Sequence, residues 1–371
     1  MIYTFFTLGI FESFFLATIL FFKKNKSLPD NILAFSFAMI GINILFSCLE
    51  CYNKDHHFAY PFLINISSPL VMLHGPLLWS YSKSQTTPKF HFKLKNIIHF
   101  VPFIILLLYH YLAFYRHSPA ERVEMAKTES FVHTFIYQFL LFFMIIVIFS
   151  YMISCIIILN KHKKNIENYF SNKSKIDMQW LKLVIFGAMF TYIVVYTLII
   201  LNEYYHFTTF KTSEAIGYCM ATILVFIWGF YGIQQTQIFS SFKIGYFKDD
   251  TVEMPDNKDE DVNKLLMVMT TSKPFLDPEL TIAKLSEISG ISVTKVSTLL
   301  NIKLNKTFFD FINMYRIEEF KTQLQNPENN NLTLLGISFN CGFNSKATFN
   351  RVFKNYMLTT PKAYKSSIEK K

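Results

Sequence analysis

The feature that most constrains the fold of this chain is a series of seven long apolar runs in its first two-thirds. Each run approaches or exceeds the roughly 20 residues that a helix needs to cross the hydrocarbon core of a bilayer. Buried helices of globular proteins are seldom apolar on every side over such a length, so the sequence predicts seven membrane-spanning helices. The runs lie at about residues 2–22, 31–49, 61–82, 97–115, 131–159, 181–201 and 215–234.

Composition supports a lipid environment for this part of the chain. Of the 371 residues, 51% are hydrophobic, 42 are Phe and only 17% are charged, which departs strongly from soluble-protein usage. Cys48 and Cys51 form a C-x-x-C motif near the end of the second run. The motif has three possible interpretations, namely a disulfide, half of a metal site, or packing of two small apolar side chains. Packing is favoured, because no second cysteine pair lies at zinc spacing.

The loops between the runs carry an uneven share of positive charge. Those after runs one, three and five hold twelve Lys residues, whereas the alternate loops hold five Lys or Arg residues. Basic loops stay on the cytoplasmic side of a membrane, so the N-terminus is expected outside. An odd number of spans then places the C-terminus in the cytoplasm. The sequence therefore predicts a multi-pass protein of the inner (cytoplasmic) membrane, in contact with membrane lipids.

The composition changes abruptly after the seventh run. Residues 236–261 contain seven Asp or Glu, which predicts a solvated acidic linker. Residues 262–371 carry 15 Lys or Arg against 8 Asp or Glu, a balance typical of surfaces that face phosphates. The sequence thus divides into a seven-helix transmembrane domain at 1–235, the linker at 236–261, and a basic domain at 262–371. The transmembrane domain is the candidate sensor of the protein.

Two similar segments lie within the basic domain, one from Thr281 to Leu300 and one from Thr333 to Phe353. They repeat at an offset of 52 residues up to a central glycine and 53 residues beyond it. Each has a Thr placed to cap a helix, apolar residues at helical spacing, a Gly at the bend, and Ser or Asn before the next helix. This pattern predicts two helix-turn-helix units, whose second helices present polar side chains to the DNA major groove. The expected fold class is therefore all-α.

The second helix of each unit is called its reading helix here. Val296, Leu299 and Leu300 are assigned to the core, and a connecting helix is predicted from Phe308 to Gln325. Asn and Arg or Lys suit base edges, whereas Ser, Thr and Lys suit phosphates. An ordinary solvated helix face is the alternative for any single residue. The candidate DNA-binding residues are Thr294, Lys295, Ser297, Thr298 and Asn301 in the first unit, and Ser345, Lys346, Thr348, Asn350, Arg351 and Lys354 in the second.

In these residues the chain resembles a known family. From about Leu265 to Tyr364 it is similar to the AraC/XylS-type DNA-binding domain. The most specific match is the run from Gly342 to Lys354, followed by Thr360-Pro361 and Tyr364, and Tyr315-Arg316 also fits. The usual soluble ligand-binding domain is replaced by the apolar part, so the arrangement resembles the membrane-tethered members of the family.

The resemblance implies seven helices in the basic domain and two reading helices that enter successive major-groove segments of double-stranded DNA. Related regulators usually work on paired sites, so a homodimer is a further expectation, and the signal ligand is unknown. The sequence departs from the family at two places where Gly is usual. One is Asn305, a residue type that tolerates left-handed geometry, and the other is the stretch from Tyr356 to Thr360.

Polar residues inside the apolar runs are candidates for sensing, above all Glu12 and His74. An intramembrane carboxylate is costly unless it is paired or lies in a wet cavity. An interhelical hydrogen bond that orders the bundle is an equally open interpretation. The sequence His74-Gly75-Pro76 predicts first a kink or a point of close packing.

The chain contains no motif typical of an enzyme. H-E-x-x-H, G-x-S-x-G, Walker and kinase signatures are all missing from the sequence, so no catalytic, cofactor or metal residue is predicted. The leading hypothesis is a membrane-bound, sequence-specific DNA-binding transcription regulator. A transporter with a DNA-binding regulatory tail is the alternative, and an enzyme acting within the membrane ranks below both.

Overall fold

The computed structural model describes residues 2–87, 90–131, 133–173, 176–205, 210–239 and 258–369. The described residues are helices joined by turns, with one isolated β-bridge among them. They form two compact units, one of residues 1–160 and 178–244, and one of residues 161–177 and 245–371. The first is called the bundle and the second the C-terminal domain. The all-α prediction is confirmed, while most of the predicted acidic linker lies outside the described residues.

The helices of the first two-thirds of the chain follow the apolar runs. Seven helical stretches in the described part are long and apolar enough to cross a membrane by length and composition. A short additional helix, α5, follows the fourth of them. The elements are α1 Ile2–Phe21, α2 Leu28–Asp55, α3 Val71–Thr86, α4 Val101–His110, α5 Pro119–Lys127, α6 Phe135–Glu167, α7 Gln179–Tyr205 and α8 Phe210–Phe239.

The bundle packs around bulky side chains from several helices. Phe37 on α2, Tyr81 on α3 and Trp228 on α8 meet in one buried cluster, with the Trp228 ring tilted steeply against the other two rings. Gly229 on α8 allows α1 to come close, because a Cβ there would stand 2.4 Å from Cδ1 of Leu16. Small residues at helix contacts are a common means of packing in membranes. The bundle is therefore stabilised by close approach of its helices and by packing of large aromatic rings.

The cysteine pair of the second apolar run also belongs to the packing of the bundle. Cys48 and Cys51 both lie on α2 and form no disulfide with each other. Cys51 is buried in a cluster with Phe6 and Ile44, and Cys48 packs against that cluster. The favoured interpretation of this motif, packing, is what the structure shows for both side chains.

The C-terminal domain consists of seven helices in its described part, besides residues 161–177. They are α9 Lys258–Thr271, α10 Ile282–Ser289, α11 Val293–Thr298, α12 Phe308–Gln325, α13 Leu334–Asn340, α14 Lys346–Met357 and α15 Pro361–Glu369. Helix α12 contributes to two apolar clusters. Phe308, Phe311 and Ile312 pack with the helices before it, and Ile317 and Phe320 pack with those after it. The connecting helix therefore gives each helix-turn-helix unit its core.

Candidate nucleic-acid interface

The first helix-turn-helix unit consists of α10 and α11. The Thr281 side chain caps α10 by accepting a hydrogen bond from the N–H of Lys284, as Thr does at helix N-termini. Gly290 ends α10 with a φ of 64°, a left-handed conformation that strains residues with a Cβ. Ser292 then caps α11 by accepting from the N–H of Lys295. The local sequence therefore places both helix ends and the bend between them.

The second unit, α13 and α14, repeats this construction. Thr333 caps α13 by accepting from the N–H of Gly336 at 3.0 Å, and Gly342 has a φ of 89° in the bend. Ser345 caps α14 by accepting from the N–H of Thr348 at 3.1 Å. Both units thus follow the predicted order of cap, helix, glycine bend and cap.

Equivalent apolar residues hold the two reading helices against the core. Val296 and Leu300 in the first unit are 0% and 1% exposed, and their counterparts Phe349 and Phe353 are 2% and 0% exposed. The predicted offset of 53 residues therefore relates positions with the same role. Because one side of each reading helix is fixed in this way, the opposite side faces outward.

The outward side of the first reading helix is engaged in contacts within the domain. Four candidate residues on α11 are half-buried, namely Thr294, Lys295, Ser297 and Thr298, and Asn301, in the π-helical turn Leu299–Lys303 that follows α11, is exposed. The Lys295 ammonium lies 3.3 Å from the carboxylate of Asp261, and the amide of Asn301 donates to the Ser297 hydroxyl at 3.3 Å. DNA would have to exchange these surface contacts for its own, which costs little at exposed positions.

The outward side of the second reading helix is more open. Its candidates Lys346, Asn350, Arg351 and Lys354 are exposed. Ser345 and Thr348 are half-buried, and their hydroxyl groups lie 3.2 Å apart at the N-cap. The Arg351 guanidinium carbon is 5.9 Å from the ring centre of Phe309 on α12. Among the described residues, α14 therefore presents the stronger combination of basic and amide groups.

A buried arginine joins the two units. Arg316 on α12 is 2% exposed; its Nε donates to the carbonyl of Phe275 at 2.7 Å, and its Nη2 donates to that of Asp277 at 2.7 Å. A Cβ on Gly342 would stand 2.9 Å from that Nε, so the bend of the second unit lies against the same guanidinium. Burial lowers the pKa of Arg316 to about 10 despite the nearby carboxylates of Asp277 and Glu279, and the group remains charged at neutral pH.

Two capped helix-turn-helix units on one connecting helix define the class of the C-terminal domain. Residues 285–367 match the family model described as a helix-turn-helix domain. Over 87 residues the chain is 34% identical to an uncharacterized HTH-type transcriptional regulator of Staphylococcus aureus (strain COL), a stretch that covers 24% of this chain and 11% of that relative. No solved structure matches the chain significantly. The prediction of an AraC-type helix-turn-helix domain at the C-terminus is confirmed.

The two candidate sensing residues lie on different helices of the bundle. Glu12 on α1 is half-buried, and its Oε1 has no hydrogen-bond partner among the described residues. His74 on α3 is linked to α7, because its Nδ1 lies 2.9 Å from the hydroxyl of Tyr192. At the neighbouring Gly75 a Cβ would stand 2.9 Å from Cδ2 of Tyr151, so His74-Gly75-Pro76 is a point of close packing.

Sequence reasoning did not single out the role of Arg316, which it noted only as part of a family resemblance. The signal was present, since Arg316 lies four residues after Ile312 and four before Phe320, two residues of the buried face. Ser171, which also contacts Arg316, lies 145 residues away along the chain, and no local pattern relates the two.

Proposed function

We propose that this protein is a membrane-bound, sequence-specific DNA-binding transcription regulator whose bundle anchors the C-terminal domain and senses a signal. The observation that carries this proposal is the presence of two capped helix-turn-helix units, each with an outward polar reading face, in the same chain as seven apolar helices. The matched helix-turn-helix family supports the DNA-binding part of the proposal.

Large apolar side chains on the outside of the bundle helices support the membrane part. In water such a surface would be costly, and in lipid it lies in its preferred surroundings. Examples that are more than half exposed are Phe11, Phe15, Leu108, Phe135 and Phe142. The excess of Lys in alternate loops supports an N-terminus outside and a C-terminal domain in the cytoplasm, where double-stranded DNA is available.

In this proposal some side chains of the reading helices contact base edges and others contact phosphates. Asn350 and Arg351 on α14 carry the groups that pair with adenine and guanine edges, and Lys346 and Lys354 suit phosphates. In the first unit Thr294, Lys295, Ser297, Thr298 and Asn301 supply further contacts. A homodimer on paired sites is part of the proposal, as is a signal ligand whose chemistry is unknown.

The proposal is tested with the full-length protein in lipid nanodiscs and a fragment of its own promoter region. Lys346→Ala removes a proposed phosphate contact and should lower the slope of log affinity against log salt by about 1. Asn350→Ala should cost about 1–3 kcal/mol on the specific site and little on unrelated DNA. Lys362→Ala removes an equal charge from exposed α15 and serves as the matched control.

Wild-type protein that retards no fragment of that region at low salt would remove the main support of the proposal. Equal effects of the Lys346 and Lys362 substitutions would show that α14 is not a DNA-facing helix. Orientation is tested separately, by fusing a reporter that is active only outside the membrane to a position after α15. Activity of that fusion would contradict a cytoplasmic C-terminal domain.

A transporter would need broken helices that line a substrate path, and in the sequence Gly75 and Pro76 are the cue for such a break. Helix α3 runs without interruption from Val71 to Thr86, with Pro76 inside it. The cue that raised this alternative is therefore a packing feature in the structure, and the regulator is the function that the geometry favours.

A further inference from the structure

A short segment between α6 and α7 pairs with the C-terminal domain in an extended conformation. Residues 161–177 belong to the same compact unit as this domain. Within them, Phe170 forms an antiparallel β-bridge with Thr281, the residue that caps the first helix of the first helix-turn-helix unit. Residues 169–173 are called the docking segment. This pairing is the isolated β-bridge of the described residues.

Backbone hydrogen bonds on both sides of the bridge fix its register. The N–H of Ser171 donates to the carbonyl of Leu280 at 3.3 Å, and the N–H of Ile282 donates to the carbonyl of Tyr169 at 3.0 Å. Ile282 is the first residue of α10, whose first N–H groups have no partner within the helix. Ile282 is 2% exposed in this contact, and the docking segment supplies its N–H with the acceptor that the helix itself lacks.

The docking segment also reaches the arginine that joins the two units. Ser171 is 1% exposed; its hydroxyl donates to the carbonyl of Leu280 at 2.7 Å and accepts from Nη2 of Arg316 at 3.1 Å. Asn172 donates from its amide to the carboxylate of Glu279 at 3.2 Å. The segment thus bonds to the strand-like residues before α10 and to α12 at the same time.

A buried lysine completes the contact near the second reading helix. Lys173 is 6% exposed; its ammonium lies 2.6 Å from the carboxylate of Glu167, the last residue of α6, and 3.8 Å from the ring centre of Phe309. Burial lowers the pKa of Lys173, Glu167 opposes this shift, and the positive charge of Arg351 adds to it. Lys173 therefore belongs to the basic surroundings of α14.

We propose that residues 279–282 and Arg316 form a docking site for residues 169–173 of this same chain, and that the docked segment holds both helix-turn-helix units in their DNA-binding arrangement. The second half of this statement rests on the proposed function. The contacts favour support over inhibition, because they go to the N-terminus of α10 and to Arg316 and add a cation near α14. Since the segment is continuous along the chain with α6 and α7, a change at the ends of either helix alters this contact.

Docking is tested by cross-linking in the full-length protein. The antiparallel register places residue 172 opposite residue 279, and both side chains lie at the accessible edge of the contact. In a background without the native cysteines, Asn172→Cys with Glu279→Cys should form a disulfide under mild oxidation. A protease site added between α8 and α9 lets the cross-link keep two fragments together on a gel. The control pair combines Glu279→Cys with Lys164→Cys on the exposed side of α6. Yields equal to the control would overturn docking.

Coupling is tested by DNA binding of full-length variants in nanodiscs. Ser171→Ala removes the hydroxyl that bonds Leu280 and Arg316, and it should weaken binding to the specific site about tenfold. Lys173→Gln should weaken it severalfold more than Lys164→Gln, which removes the same charge from an exposed position. In the Ser171→Ala chain that also carries the cysteine pair at 172 and 279, oxidation should restore the affinity. Unchanged or tighter binding by Ser171→Ala, or no rescue on oxidation, would overturn the proposal.

The two proposals fail in different ways. Wild-type protein that cross-links efficiently but binds no DNA would refute the proposed function and leave the docking contact in place. Wild-type protein that binds DNA but cross-links only at the control level would refute docking and leave the function in place.

Discussion

Substitution of the two glycine bends should have very different effects on the C-terminal domain. An L-residue in the left-handed conformation costs about 1–2 kcal/mol, and this cost applies at both Gly290 and Gly342. At Gly290 a Cβ would meet only the flexible end of the Lys264 side chain, at 3.3 Å. At Gly342 a Cβ would stand 2.4 Å from the carbonyl oxygen of Phe275, so that backbone has to move.

The displacement at Gly342 also breaks a hydrogen bond. The carbonyl of Phe275 accepts from Nε of Arg316 at 2.7 Å, and a hydrogen bond to a charged group contributes about 1.5–3 kcal/mol. Together with the left-handed conformation, Gly342→Ala should destabilise the domain by about 3–5 kcal/mol. Gly290→Ala should cost about 1–2 kcal/mol.

The measurement is amide hydrogen exchange of α12 in the full-length protein in detergent. Its buried residues Ile312, Ile317 and Phe320 belong to the cores of both units, so its exchange reports opening of the domain. At tenfold per 1.4 kcal/mol, exchange should accelerate about 5–30-fold in Gly290→Ala and about 100-fold or more in Gly342→Ala. Equal acceleration in the two variants would refute the reasoning, because it would mean that the contact with Phe275 and Arg316 contributes nothing.

Three further outcomes are expected. Leu358 is left-handed, with a φ of 56°, and 88% exposed, so Leu358→Gly should stabilise the domain by up to about 1 kcal/mol; a lower urea midpoint would contradict this. Burial raises the pKa of Asp277, but hydrogen bonds from Lys284 and from a backbone N–H outweigh it and leave that pKa below its usual value. This stabilisation is present above about pH 4 and is lost as the pH falls toward the folded-state pKa, and Asp277→Asn should flatten the pH dependence of proteolysis in that range. Glu12→Ala and His74→Ala should each reduce the response of a promoter reporter at unchanged protein level, whereas loss of the protein itself would indicate a purely structural role.

The helix-turn-helix units could be predicted from sequence because the residues that begin and end their helices lie next to those helices in the chain. Thr281 and Thr333 cap helices that begin one residue later. The family departures are also explained locally, since Asn305 has a φ of 48° and Leu358 a φ of 56°. Both residues take the left-handed conformation for which Gly is usual, and Asn does so at the lower cost.

The apolar helices could be predicted for a similar reason, although their ends could not. Each helix is marked by an apolar run about as long as a bilayer crossing requires. The fifth apolar run covers about residues 131–159, whereas α6 extends from Phe135 to Glu167. The difference arises because a helix continues through its Lys-rich end after the apolar run has stopped, and hydropathy does not report on that extension.

The partners of individual side chains on the reading faces depend on the tertiary fold. Lys295 is predicted to face DNA by its position on α11, and in the structure its ammonium lies beside Asp261, 34 residues earlier. The Arg351 guanidinium lies near the ring of Phe309, 42 residues earlier. A helical wheel gives the direction of a side chain and carries no information on what another segment brings to meet it.

The docking segment is the clearest case in which the sequence does not reveal a tertiary contact. Tyr169 and Ser171 pair with residues more than 100 positions later, in a segment with no strand pattern of its own. The contact depends on backbone groups and on one buried guanidinium. Few side chains in the sequence therefore indicate that it exists. If the docking segment supports the DNA-binding arrangement as we propose, its contacts with the N-terminus of α10 and with Arg316 give it access to both reading helices, because both of their cores meet at α12.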